Sequence, residues 1–171
     1  MAVRRGTKVS LAALVVSVGI AGAAGAAAPA SLAGSWRGAV SGGPPGAEVA
    51  LSLQSSGDRL SVVVTLPSAA ARTIELMPGD APGILVPARG GMFSMWRGNE
   101  RPDPLGGAPL VWARVAEDSL TLYRLQIARD GSYTLERFAA TRTTEGVALT
   151  VSTRRTGQPP EEITAELRAA S

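Results

Sequence analysis

The chain has 171 residues, with 17 Lys and Arg against 14 Asp and Glu, and it contains no His and no Cys. Those absences exclude a Ser-His-Asp triad, a thiol nucleophile and a thiolate metal site, and disulfides have no part in folding. Three of the basic residues, including the only Lys, fall in the first thirty positions, which leaves fourteen of each sign downstream. A neutral domain with no basic run lacks the electrostatic footprint that nucleic acid requires.

Residues 1–30 read as a cleavable signal peptide. Arg4, Arg5 and Lys8 precede the apolar stretch Val9–Ala28, and Ala28-Pro29-Ala30 offers a small-x-small site with the cut after Ala30. An uncleaved membrane anchor is the competing reading. The apolar run ends in Gly and Ala with no basic stop, which favours cleavage. Arg4-Arg5 is a partial twin-Arg signal, and the lack of Cys at the cut excludes a lipoprotein-type anchor. The expectation is a periplasmic or secreted protein, not membrane-spanning after cleavage. Residues 31–171 would form one β-barrel domain, large enough to bury a core unaided.

Downstream, short period-two runs alternate with turn signals. Ser41–Gly46 is a Gly/Pro loop. Val49, Leu51 and Leu53 share one strand face, Ser55–Asp58 turns the chain, and Leu60, Val62, Val64 and Leu66 continue the inward pattern as a hairpin partner. Residues 72–77 form a shorter strand with Ile74 and Leu76 inward. Strands at 84–86 and 91–96 follow; both faces of the latter are apolar, with Trp96 on one and Phe93 on the other. Residues 97–108 are the longest polar interruption, a lid or binding loop or a passive insertion.

Residues 110–115 carry Trp112 in mid-strand. In 118–128 the apolar phase slips by one between Leu122 and Tyr123, which predicts a bulge. Arg129-Asp130-Gly131-Ser132 is the clearest hairpin turn, and 133–140 and 147–151 run on from it. Residues 163–167 alternate as a last strand, with a short helix from Pro160 as the alternative. A terminal strand beside Trp36 would close the sheet and remove its edges. The sum is an all-β chain: a single antiparallel up-and-down β-barrel of about 8–10 strands, with a sandwich as the other arrangement of such a meander.

The opening Gly34-Ser35-Trp36, set ahead of this series of strands, resembles the start of lipocalin-like (calycin-type) β-barrels of the bacterial periplasm. That resemblance implies a bend at Gly34, Trp36 plugging one end of the barrel, and an Arg from a late strand covering the ring. Arg154, Arg155 and Arg168 are the candidates for that last role. As a residue taken alone, Trp36 reads as a large core side chain.

No Lys in the expected mature chain means no Schiff base and no Ser-Lys dyad, so the protein is expected not to be an enzyme. Carboxylate-only chemistry is the one catalytic route left. No cofactor and no metal are expected. Asn99, Glu100 and Asp103 offer oxygens to a calcium ion, but not at the spacing of a known loop. Three Arg alternate with apolar neighbours: Arg114 with Leu110 and Trp112, Arg124 with Leu120 and Leu122, and Arg137 with Tyr133 and Leu135. Either they lie along the surface, or a cation sits inside the barrel and needs an anion. Glu75, Glu136 or the carboxylate of a fatty-acid-like ligand would serve.

The expected function is binding of a small apolar or amphipathic ligand, the idea of a ligand coming from the resemblance. Val62, Val64, Trp96, Trp112, Arg114, Leu122 and Arg124 are the candidate site. The alternative is a barrel with a filled interior that meets a protein partner through loops 41–46 and 97–108.

Overall fold

The computed structural model of the protein describes residues 29–67, 69–88 and 103–170. A 3-10 turn, Ala30–Leu32, leads into an antiparallel meander. Its first five strands are β1 (Gly34–Ala39), β2 (Glu48–Ser56), β3 (Arg59–Thr65), β4 (Arg72–Pro78) and β5 (Ile84–Pro87). Then come β6 (Leu110–Ala116), β7 (Ser119–Ile127), β8 (Tyr133–Arg142), β9 (Val147–Arg155) and β10 (Glu161–Ala169). Each strand pairs with the next and β10 returns to β1, so the sheet closes as an up-and-down barrel. Sequential hairpins produce this order because each tight turn delivers its second strand beside the first.

The last segment is a strand and not a helix. It makes the seam through Trp36↔Ala169 and Arg37↔Arg168, with Ala170 N donating to Ser35 O at 2.8 Å. Two glycines let β10 approach. A Cβ at Gly38 would collide with the Glu166 carbonyl oxygen, and one at Gly146 with that of Leu167. The expected strand at 91–96 lies outside the described residues.

The period-two spacing decides what lies inside. Val49, Leu51 and Leu53 on β2, and Leu60, Val62 and Val64 on β3, are all buried and meet across the pair, as in Leu53↔Val62. Leu120 and Leu122 face Phe138 and Ala140, which face Val151 and Leu149. Each such aliphatic side chain taken from water contributes about 1.5–3 kcal/mol. Among the described residues no polar or charged residue is fully buried, and no helix is long and apolar enough to cross a membrane.

The expected bulge in β7 does not form. Its register with β6 runs unbroken from Ser119↔Ala116 to Leu125↔Leu110, and with β8 from Ser119↔Thr141 to Ile127↔Tyr133. The apolar phase changes there for another reason. Beyond Leu122 the inward positions are Arg124 and Gln126, and Tyr123, Leu125 and Ile127 lie on an outer face that is itself apolar.

Candidate functional site

The barrel has two unlike ends. At one, the 3-10 turn folds under the sheet and buries Leu32 completely. Trp36 lies across it with its Nε1 donating to Leu32 O at 2.9 Å. Gly34 precedes with φ 122°, a backbone that side-chain-bearing residues rarely adopt, and this bend turns the chain into β1. Over the ring sits a guanidinium with its carbon 4.8 Å from the ring centroid, and it belongs to Arg142. Arg142 also donates through Nη1 to Gly146 O at 3.1 Å. The expectation of Arg154, Arg155 or Arg168 in this role is therefore corrected. All three are exposed, and Arg155 instead reaches Glu161 at 3.0 Å. Arg142 reaches the ring because it continues the inward phase of Phe138 and Ala140 to the last position of β8.

At the other end, charged side chains occupy inward positions of three strands. Arg72 pairs with buried Val64 in register, and Arg124 with Glu136. Glu136 Oε2 accepts from Arg72 Nη1 at 2.9 Å and from Arg124 Nη1 at 3.1 Å. Arg124 Nη2 donates to Gln126 Oε1 at 3.1 Å. The Glu136 side chain is 15% exposed, that of Arg124 29% and that of Arg72 46%. One carboxylate thus serves two guanidinium groups, and the cluster carries one formal positive charge in a partly dehydrated place, where an anion is attracted more strongly than at an open surface. The half-buried Ile74 and Val111 lie on the same inward faces, next to the aliphatic core.

The candidate ligand residues are divided by this geometry. Val62, Val64 and Leu122 are buried in the interior, and Arg124 stands at its charged end. Trp112 and Arg114 do not join them. Val111, Ala113 and Val115 take the inward positions of β6, so Trp112 and Arg114 belong to the outer wall. There Trp112 stacks on Tyr123, with centroids 4.9 Å apart and rings 9° from parallel. Alternation correctly grouped Arg114 and Arg137 with apolar neighbours, but the shared face is the outer one. Trp96 lies outside the described residues, as do 97–102 of the long loop. Of the remainder, Asp103 accepts from Leu105 N at 2.9 Å and opens a 3-10 turn, Pro104–Gly106.

Of the two internal carboxylates considered for Arg124, Glu136 is the partner, and Glu75 is exposed on the outer face. Arg72 was missed. The signal for it was present, since the inward phase of Leu76 and Ile74 extended back by two residues reaches Arg72.

Among the described residues no three His, Cys, Asp or Glu side chains gather where a metal could bind. Two shallow concavities formed by described residues lie outside the interior. One, of about 140 Å³, runs along β1–β3 past Ser35, Ser52 and Thr65. The other, of about 280 Å³, adjoins the turn Thr143–Gly146. No protein-family model, no curated protein and no solved structure matches this chain.

Proposed function

We propose that this protein is an exported, non-catalytic barrel of the periplasm or extracellular space that binds a small amphipathic molecule with an acidic head group. The observation that carries this reading is the Arg72–Glu136–Arg124 cluster. It sits on inward positions at the end opposite the Trp36 plug and adjoins an aliphatic interior. An acidic head group would compete with Glu136 for guanidinium donors that are already oriented, and the apolar tail would follow the faces of Val64, Ile74 and Val111. Residues 1–30 act in this reading as the export signal and are removed. Neither a cofactor nor a metal takes part.

The test is displacement of a lipophilic fluorescent probe. The folded protein should enhance the probe's emission. A long-chain acid should displace it at least about tenfold better than the alcohol of equal chain length, the worth of one charge-assisted hydrogen bond. Arg124→Gln should abolish the preference for acid while leaving displacement by the alcohol unchanged. A folded protein that gives no enhancement would overturn the proposal and favour the alternative, a filled barrel that meets a protein partner through loops 41–46 and 97–108.

A further inference from the structure

The outer wall of β5–β9 differs from the rest of the surface in two ways, both set by register. First, it is apolar in ladders. Leu110, Leu125 and Leu135 align across β6, β7 and β8, and in the next outward row Trp112 and Tyr123 stack beside Arg137. Ile127 pairs with Tyr133 at the end of this ladder. The turn Pro104–Gly106 packs against β7 and presents Leu105, which is 77% exposed; Leu110 and Tyr133 are 41% and 44% exposed. Second, the charges on the outward positions of its strands have one sign. Arg114, Arg137 and Arg154 occupy outward positions on β6, β8 and β9, and no outward position of β5–β9 holds an Asp or Glu. The outward acids of the strands stand elsewhere, Glu48 on β2, Glu75 on β4, and Glu162 and Glu166 on β10, while the exposed acids that border this wall, Asp103, Glu117, Asp118, Asp130 and Glu145, lie in its turns at the two rims.

We infer that this wall docks the barrel on an anionic lipid surface. Trp and Tyr rings sit at the headgroup level of a bilayer, with their apolar bodies turned inward and their polar atoms wet. A protruding leucine reaches the acyl boundary. Guanidinium groups take lipid phosphates in a two-pronged hydrogen bond, and each contributes attraction to an anionic leaflet. Charge argues against a second copy of this chain as the occupant, because a twofold contact would set Arg114, Arg137 and Arg154 against their own equivalents. Shape argues for lipid over a rigid protein. The wall is the convex outside of a barrel, and a fluid surface conforms to a convex one. The inference is independent of any ligand in the interior.

The experiment is co-sedimentation with vesicles of equal parts phosphatidylglycerol and phosphatidylcholine, and with phosphatidylcholine alone. The exported protein should bind the first and not the second, and should be released as salt rises from about 0.1 M to about 1 M, where screening shortens to a few ångströms. Arg114→Glu with Arg137→Glu should weaken binding at least about tenfold. Arg37→Glu, on the opposite wall, should leave it unchanged, and dichroism should show all three proteins folded. The three proteins differ only at these positions, so the difference between them reports this wall. Equal binding by wild type and the double variant, no binding at all, or capture of an acidic protein in place of vesicles would each overturn the inference.

Discussion

The two ends of the barrel use arginine in opposite ways. At the plugged end a single guanidinium lies flat over the Trp36 ring, and its hydrogen bond goes to a backbone carbonyl, that of Gly146. Among the described residues no carboxylate pairs with it, and its partners are the ring electrons and a peptide dipole. At the other end Arg72 and Arg124 share one carboxylate and remain partly wet. The first arrangement seals because nearly everything beneath it is apolar: Leu32, Val147 and Leu167 are all but fully buried there. The second leaves a surplus of positive charge facing inward. A barrel filled purely for stability has no need of that surplus, since a hydrophobic residue of similar size at position 124 would pack at no desolvation cost. The difference between the ends is why the proposed ligand is assigned to the charged one.

Removing the plug should produce the largest effect. Trp36→Ala deletes a ring that is 8% exposed, breaks the bond to Leu32 O, and strips Arg142 of the surface it covers. The expected loss is about 3–5 kcal/mol by chemical denaturation. A loss below about 1 kcal/mol, the scale of a surface change, would mean that the ring seals nothing, and the contrast between the ends would fail.

At the charged end the expected change is smaller and of a different kind. Glu136→Gln keeps the shape and removes the charge, leaving two guanidinium groups face to face. Water reaches Arg72, so the cost in stability should be only about 1–2 kcal/mol. Affinity should move the other way. With its internal competitor neutralised, an acidic probe should bind more tightly than it does to the wild type, whereas the matching alcohol should not change. A variant that loses stability without gaining affinity for the acid would make the cluster a purely structural pin.

Much of this molecule was legible locally. Period-two spacing on β2 and β3, the turn residues between hairpins, and the alternation over 163–167 that points to a closing strand all follow from rules that act within a few residues. What was not legible depends on neighbours distant in sequence. Arg72 and Glu136 lie 64 residues apart and meet across the barrel, so no local pattern joins them. The slip in β7 mimics a bulge only if every apolar residue points inward. Leu125 and Ile127 point outward instead, onto a wall whose apolar character arises only when three strands lie side by side. Local pattern does not single out Arg142 over Arg154, Arg155 and Arg168, because its inward phase depends on β8 extending to its last residue.

The turns at the two ends extend the contrast to pH. At the charged end Asp130 Oδ1 accepts from Ser132 Oγ at 2.7 Å and from Ser132 N at 2.9 Å. Chiefly the side-chain bond, and then the backbone bond, hold its carboxyl below the usual carboxylate range. At the plugged end the Thr143 hydroxyl does the same work, accepting from Gly146 N at 3.1 Å with no charge involved. A carboxyl whose folded pKa lies below its unfolded value of about 3.9 stabilises the fold above that pH, and the stabilisation is lost as pH falls through the folded pKa. Asp130→Ala should therefore melt slightly below the wild type at neutral pH. The gap should hold down to about pH 4 and close in stronger acid. Thr143→Ala should show a gap that does not change over the same range. The Asp130 effect is the smallest of the set because its carboxyl is fully exposed and water replaces most of what the turn provides. A gap for Asp130→Ala that persisted unchanged through the acid limb would show that the turn draws on its shape alone and not on the charge.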